Sequence, residues 1–166
     1  MSLELAAVSV RLGPLDEPLF PPLSLSVPSG QVVTVMGPSG VGKSTLLAMI
    51  GGHLARGFVG AGRVRLNGRD VTRLPAEARR IGILFQDALL FPHLSVGDNL
   101  AFGLPRQLKG RMARRSAVAA ALDQAGLSGF GDRDPATLSG GQQARAALMR
   151  TLLSDPLALL LDEPFS

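Results

Sequence analysis

Gly37-Pro38-Ser39-Gly40-Val41-Gly42-Lys43-Ser44-Thr45 is the stretch on which the fold turns. A glycine, four residues and then Gly-Lys-Ser complete the pattern G-x-x-x-x-G-K-[ST]. Glycines admit positive φ, so successive N–H groups converge on phosphate oxygens. A helix starting near Gly42 adds the positive end of its dipole. Lys43 brings a mobile point charge for the terminal phosphates, and Ser44 a hydroxyl suited to Mg²⁺. A plain Gly-rich turn with a surface lysine would use the same residue types, so the flanks decide. Before the loop, Val32-Val33-Thr34-Val35-Met36 is a β-branched apolar run and predicts a strand buried on both faces. After it, Leu46–Ile50 predicts a helix ended by Gly51-Gly52.

Further out, Leu3–Val10 alternates loosely and Leu23–Val27 strictly, predicting two half-buried antiparallel strands joined by the Pro-rich stretch 13–22. Arg63–Leu66 followed by Asn67-Gly68 predicts a strand entering a hairpin turn. A short helix around 75–80 and a strand over 81–85 come next. From Asp87 to Thr137 the texture turns helical, with helices predicted over 97–104 and 111–125. A third helix is predicted over 142–153, and Leu157–Leu161 is predicted as a buried strand ending in Asp162-Glu163-Pro164. Two adjacent carboxylates at the end of an apolar strand stand where α/β sheets place ligands. Asp162 suits Mg²⁺, and Glu163 suits a base that orients an attacking water.

Composition narrows the alternatives. The 166 residues are 46% hydrophobic with seven Phe and no Trp or Tyr, enough for a core and too apolar for disorder. The longest late apolar run, 157–161, falls far short of a membrane span, and the N-terminus predicts no secretory leader. With no cysteine there is no disulfide, thiolate catalysis or Cys-ligated zinc. Two histidines, His53 and His93, build no multi-His site; ordinary surface or loop roles are expected for both. The net charge of +4 is scattered apart from Arg79-Arg80 and Arg111/Arg114/Arg115, so solvated basic faces are expected and no nucleic-acid partner.

Between the two anchors lies Leu138-Ser139-Gly140-Gly141-Gln142, and Gln86 follows the strand over 81–85. Phosphate loop, pentapeptide and Asp-Glu strand end together resemble the ATP-binding cassette (ABC) ATPase family over essentially the whole chain. Within it, 90–100 and the segments 81–91 and 134–166 are similar to the thiamine-, polyamine-, iron- and sulfate-type bacterial importers. The resemblance implies a P-loop NTPase α/β core with an N-terminal antiparallel β subdomain and an inserted helical subdomain. In these terms 1–86 and 143–166 form the nucleotide-binding core and 87–142 the helical signature subdomain.

ATP and Mg²⁺ are then the implied ligands. Gly37 through Thr45 would cradle the phosphates, with Lys43 also catalytic. Ser44, Gln86 and Asp162 would serve the metal, and Glu163 the water. Two copies would pair head to tail, with Ser139, Gly140, Gly141 and Gln142 of one copy reaching the ATP of the other. Ser139-Gly140-Gly141 opening a helix offers N–H groups to an anion, although Ser139 is equally an ordinary N-cap. The helical region would dock on integral-membrane permease subunits at the cytoplasmic face of the bacterial inner membrane, served by an extracytoplasmic solute-binding protein. A soluble ABC ATPase and a non-hydrolysing nucleotide sensor are the competing functions.

Departures from the family pattern carry their own expectations. Leu12 stands where an aromatic usually stacks on adenine, with Phe20 a substitute, so weak discrimination between ATP and GTP is expected. Gln143 replaces a common basic residue, with little consequence expected. The family continues into a loop that touches the partner cassette and on to a switch histidine. Neither His53 nor His93 matches that histidine, so the chain reads as C-terminally truncated, and on its own it should hydrolyse ATP weakly or not at all.

Overall fold

The computed structural model describes residues 2–13 and 17–163. Pro14–Asp16 of the Pro-rich connection and Pro164 of the Asp-Glu-Pro end lie outside the described residues. The chain packs as two units, Met1–Ile81 and Gly82–Ser166.

The first unit is an antiparallel sheet with a helix and a short helical turn. Its strands are β1 (Ser2–Leu12), β2 (Leu23–Pro28), β3 (Phe58–Leu66) and β4 (Arg69–Asp70), in the order β2-β1-β3-β4. The loose alternation of β1 has a definite cause. Leu3 and Leu5 point into the core, then Val8 and Val10 do, so the parity changes between them. Both ladders shift register there, Ala7 takes φ +50°, and its N–H donates to Ser24 Oγ at 2.8 Å. This is a β-bulge, which moves the following residues to the other face. Gly62 lies against the bulge at φ +89°, where a Cβ would meet the Ala7 carbonyl oxygen. Asn67 and Gly68 both take positive φ, as the hairpin turn between β3 and β4 demands. Helix α1 (Lys43–Gly51) packs on this sheet, with Met49 lying over Gly60 so closely that a Cβ there would overlap its sulfur. A helical turn, α2 (Ala76–Arg79), precedes β5 (Ile81–Leu84).

One expectation fails here. Residues 32–36 form no strand among the described residues, and Val32 and Met36 are almost fully exposed. A β-branched run needs a neighbouring strand to accept its N–H and C=O groups, and none of the described strands pairs with it.

The second unit holds α3 (Val96–Gly103), α4 (Arg111–Gln124), α5 (Gly140–Leu152) and β6 (Ala158–Leu161), which pairs with β5. Val96, Leu100, Leu122, Leu127, Leu138, Ala146 and Met149 form its core. The small residues bring the helices close: a Cβ on Gly103 of α3 would overlap the Arg150 carbonyl of α5. β6 is only partly the buried strand expected, since Leu160 is buried while Leu157, Leu159 and Leu161 are exposed. Its one described partner is β5, which leaves the rest of the strand uncovered.

Candidate functional site

The phosphate loop is built as its residue types demand. Gly40 and Gly42 take φ of +80° and +98°, and Gly42 is the left-handed N-cap of α1. No side chain caps that helix end. Lys43 Nζ donates to the carbonyl oxygens of Gly37 at 2.9 Å and Pro38 at 3.0 Å, which folds the ammonium over the loop. Ser39, Val41 and Ser44 are exposed, and Thr45 is half-buried. A Cβ on Gly37 would lie 3.2 Å from Val41 Cγ1, and one on Gly42 would lie 3.1 Å from Phe20 Cδ1. Phe20 therefore brings a ring to the loop, whereas Leu12 is exposed at the end of β1.

The far end of α1 is held by a residue that composition alone misplaces. Arg79 belongs to a pair read as solvated, yet it is buried, at 6% exposure. Its Nη1 donates to the carbonyls of Met49 (2.9 Å) and Ile50 (2.8 Å), its Nε to Leu74 (2.8 Å) and its Nη2 to Thr72 (2.6 Å). The last carbonyls of α1 thus find donors and a positive charge at the negative end of the helix dipole. Gly52 caps α1 at φ +84°, and a Cβ there would collide with the Arg79 guanidinium. The burial that this costs pushes the Arg79 pKa down.

His53 follows directly, in the loop after α1 as expected, and is half-buried there. Burial lowers its pKa, a hydrogen bond with Gly51 opposes that, and the Arg79 charge lowers it again. The folded state thus binds the His53 proton less readily than the unfolded chain does. Stability is complete above the unfolded value of about 6.5 and falls as pH drops through it toward the folded pKa. In denaturant titrations at about pH 7.5 and about pH 5.5, His53→Gln is expected to lose less stability on acidification than the wild type. Equal losses would remove His53 from that dependence.

In the second unit the Asp162 N–H donates to the Leu84 carbonyl at 2.9 Å, which sets the C-terminal ends of β5 and β6 side by side. Gln86, Asp162 and Glu163 therefore leave the same end of this strand pair. Gln86 and Glu163 are exposed, and Glu163 takes φ +45°. Ser139 is the N-cap of α5 and forms a reciprocal capping box with Gln142: the Gln142 N–H donates to Ser139 Oγ and the Ser139 N–H to Gln142 Oε1. Gln143 Nε2 ties the preceding turn through the carbonyls of Pro135 and Leu138. Gly140 and Gly141 have ordinary φ, and a Cβ on either would meet nothing within 4 Å. Glycine disfavours helix, and among the described residues no close contact requires it at these two positions.

Asn99, Arg114 and Arg150 are further polar residues whose part in this unit the sequence did not announce. Arg114, read as part of a solvated basic face, donates to the carbonyls of Ala101 and Leu108. Asn99 is fully buried, accepts from the Phe91 N–H and donates to the carbonyls of Phe91, Leu94 and Ser95. One amide in the apolar stripe Val96-Asn99-Leu100 was the signal available for it. Among the described residues, no group of three or more His, Cys, Asp or Glu is placed to hold a metal.

The model of the ABC transporter family matches residues 20–166. The chain is 54% identical to the uncharacterized ABC transporter ATP-binding protein YnjD of Escherichia coli (strain K12), over 96% of this chain and 72% of that protein. It is 50% identical to a thiamine import ATP-binding protein of Jannaschia sp. (strain CCS1), over 86% of this chain and 61% of the relative. It is 46% identical to an Fe(3+) ions import ATP-binding protein of Rhizobium etli, over 89% of this chain and 41% of the relative. It therefore spans 61% and 41% of the length of these two import proteins. Among solved structures, a dimeric ATP-binding cassette in a post-hydrolysis state with ADP and Pi superposes with a TM-score of 0.82 at 30% identity. That match covers 98% of this chain and 74% of the other.

Proposed function

The chain belongs to the ABC transporter family, and on that premise we propose that it binds and hydrolyses ATP as the energy-coupling subunit of a membrane importer. The observation that carries the proposal is the phosphate loop: left-handed Gly40 and Gly42, an α1 N-terminus with no side-chain cap, and the Lys43 ammonium resting on loop carbonyls. Such a loop suits an anion, because backbone N–H groups, helix dipole and a mobile cation serve one ligand. In the resting loop Gly37 and Pro38 keep the Lys43 charge in place, and arriving phosphate oxygens replace those carbonyls as its partners. Gly37 through Thr45 then surround the phosphates.

Mg²⁺, when bound, neutralises charge on the phosphate oxygens during transfer. Ser44, Gln86 and Asp162 are the residues assigned to hold it. Glu163 orients the attacking water and takes its proton, with no covalent intermediate. Ser139, Gly140, Gly141 and Gln142 are assigned to the γ-phosphate of a second copy in a head-to-tail homodimer. The bare Gly140 and Gly141 support this, since a close-approaching ligand or partner gives glycine a use there that the chain itself does not. Segments 1–86 and 143–166 serve the nucleotide, and 87–142 meets permease subunits at the cytoplasmic face of the bacterial inner membrane. An extracytoplasmic solute-binding protein completes the importer. No described helix is long and apolar enough to cross a membrane.

The test is nucleotide titration of the full-length gene product with ATP and GTP, followed by turnover with its permease in liposomes. Saturable Mg-ATP binding and permease-stimulated hydrolysis are expected, and no binding at millimolar ATP would sink the proposal. The base contact available from Leu12 and Phe20 is apolar and reads no hydrogen-bonding edge. Dissociation constants for ATP and GTP are therefore expected within about fivefold of each other. A much larger preference for ATP would mean that another residue reads the base.

A further inference from the structure

The loop after Gln86 is under strain at one residue and held there from one side. Leu89 takes φ +45°, a left-handed conformation that an L side chain adopts only when its surroundings impose it. Its side chain is largely exposed, so apolar burial does not impose it. The constraint is on the backbone. Arg150, on α5, donates from Nη1 to the Leu89 carbonyl at 2.9 Å and from Nη2 to the Ala88 carbonyl at 3.3 Å. The guanidinium also lies over the Phe91 ring at 5.2 Å, and Nη1 reaches Asn99 Oδ1 at 3.5 Å. Asn99 in turn fixes both the N–H and the carbonyl of Phe91. The contacts of Arg150 with Ala88, Leu89 and Phe91 thus join residues 88–91 to the body of α5, whose N-terminus carries Ser139, Gly140 and Gly141.

We propose that Arg150 is a positioning residue that latches the strained turn after Gln86 to the helix that opens at Ser139, so that loop and helix move as one piece. This rests on the reading of Gln86 and Ser139–Gly141 as nucleotide-facing residues. On that reading the metal side and the partner side of the site stay in register because a guanidinium fork, gripping two successive carbonyls, resists rotation of the turn. A lysine keeps the charge and loses the fork.

The experiment uses the full-length gene product in a Glu163→Gln background, where ATP-held dimers accumulate. ATP affinity is read by titration at low protein concentration and dimerisation by sedimentation with Mg-ATP, for wild type, Arg150→Lys, Leu89→Gly and the double variant. Arg150→Lys is expected to keep the ATP affinity of the monomer within about twofold and to weaken dimerisation about tenfold. Leu89→Gly makes the left-handed turn free of strain, so the double variant is expected to recover most of the lost dimerisation. Thermal melts of all four proteins separate the latch from a general change of stability, because glycine at this positive φ raises the melt in either background by a similar amount. Additive effects in the double variant, or unchanged dimerisation in Arg150→Lys, would overturn the latch. Should Arg150→Lys not fold, the double variant decides alone: dimerisation like wild type upholds the latch, and its loss overturns it. Absence of ATP binding in the parent protein would overturn the nucleotide reading itself, and the latch with it.

Discussion

Lys43→Ala is expected to weaken ATP binding by about 30- to 150-fold while leaving the fold intact. The ammonium makes its described hydrogen bonds to the carbonyls of Gly37 and Pro38 in an exposed setting, and the core of the first unit does not depend on it. Its removal therefore costs little stability. On the proposed assignment it meets phosphate oxygens of the nucleotide instead, and a hydrogen bond to a charged group is worth about 1.5–3 kcal/mol. At about 1.4 kcal/mol per factor of ten, the upper half of that range gives the stated loss. The measurement is a titration of wild type and variant with a fluorescent ATP analogue, beside thermal melts of both. Unchanged affinity with an unchanged melt would refute the assignment of the loop.

Glu163→Gln is expected to keep ATP affinity, lower turnover by about 10²- to 10⁴-fold and trap an ATP-held dimer. The carboxylate stands one residue beyond Asp162, whose N–H is fixed on the Leu84 carbonyl, so its backbone is delivered by a paired strand end. Glutamine keeps size and polarity but cannot accept the proton of the attacking water. Binding, which the proposal assigns to the phosphate loop, is expected to be left untouched. Single-turnover hydrolysis and sedimentation with Mg-ATP check both halves, and retained full turnover would remove Glu163 from the role. Read with Lys43→Ala, the pair separates affinity from chemistry: one variant loses binding, the other only the step after it.

Much of this molecule is local and therefore legible in the chain. The order Gly37 to Thr45 dictates a left-handed turn feeding a helix, because only glycine takes those φ values without cost. Asn67-Gly68 dictates its hairpin for the same reason, and Ser139 with Gln142 dictates the start of α5 by reciprocal capping. Helical periodicity placed α3, α4 and α5 to within a residue or two. These features need only neighbours in sequence.

The tertiary structure decided whatever depends on a partner far along the chain. Residues 32–36 have strand composition and form no strand among the described residues, because a ladder needs a second backbone beside it. The parity change in β1 is invisible as a pattern until the bulge at Ala7, with Gly62 against it, shows which face each residue takes. Arg79 and Arg114 fall in basic groups read as solvated and Arg150 carried no signal of its own, yet each is spent on backbone carbonyls. Those carbonyls belong to helix ends and strained turns that lie tens of residues away in two of the three cases, and composition carries no record of an acceptor that only folding brings within hydrogen-bonding reach.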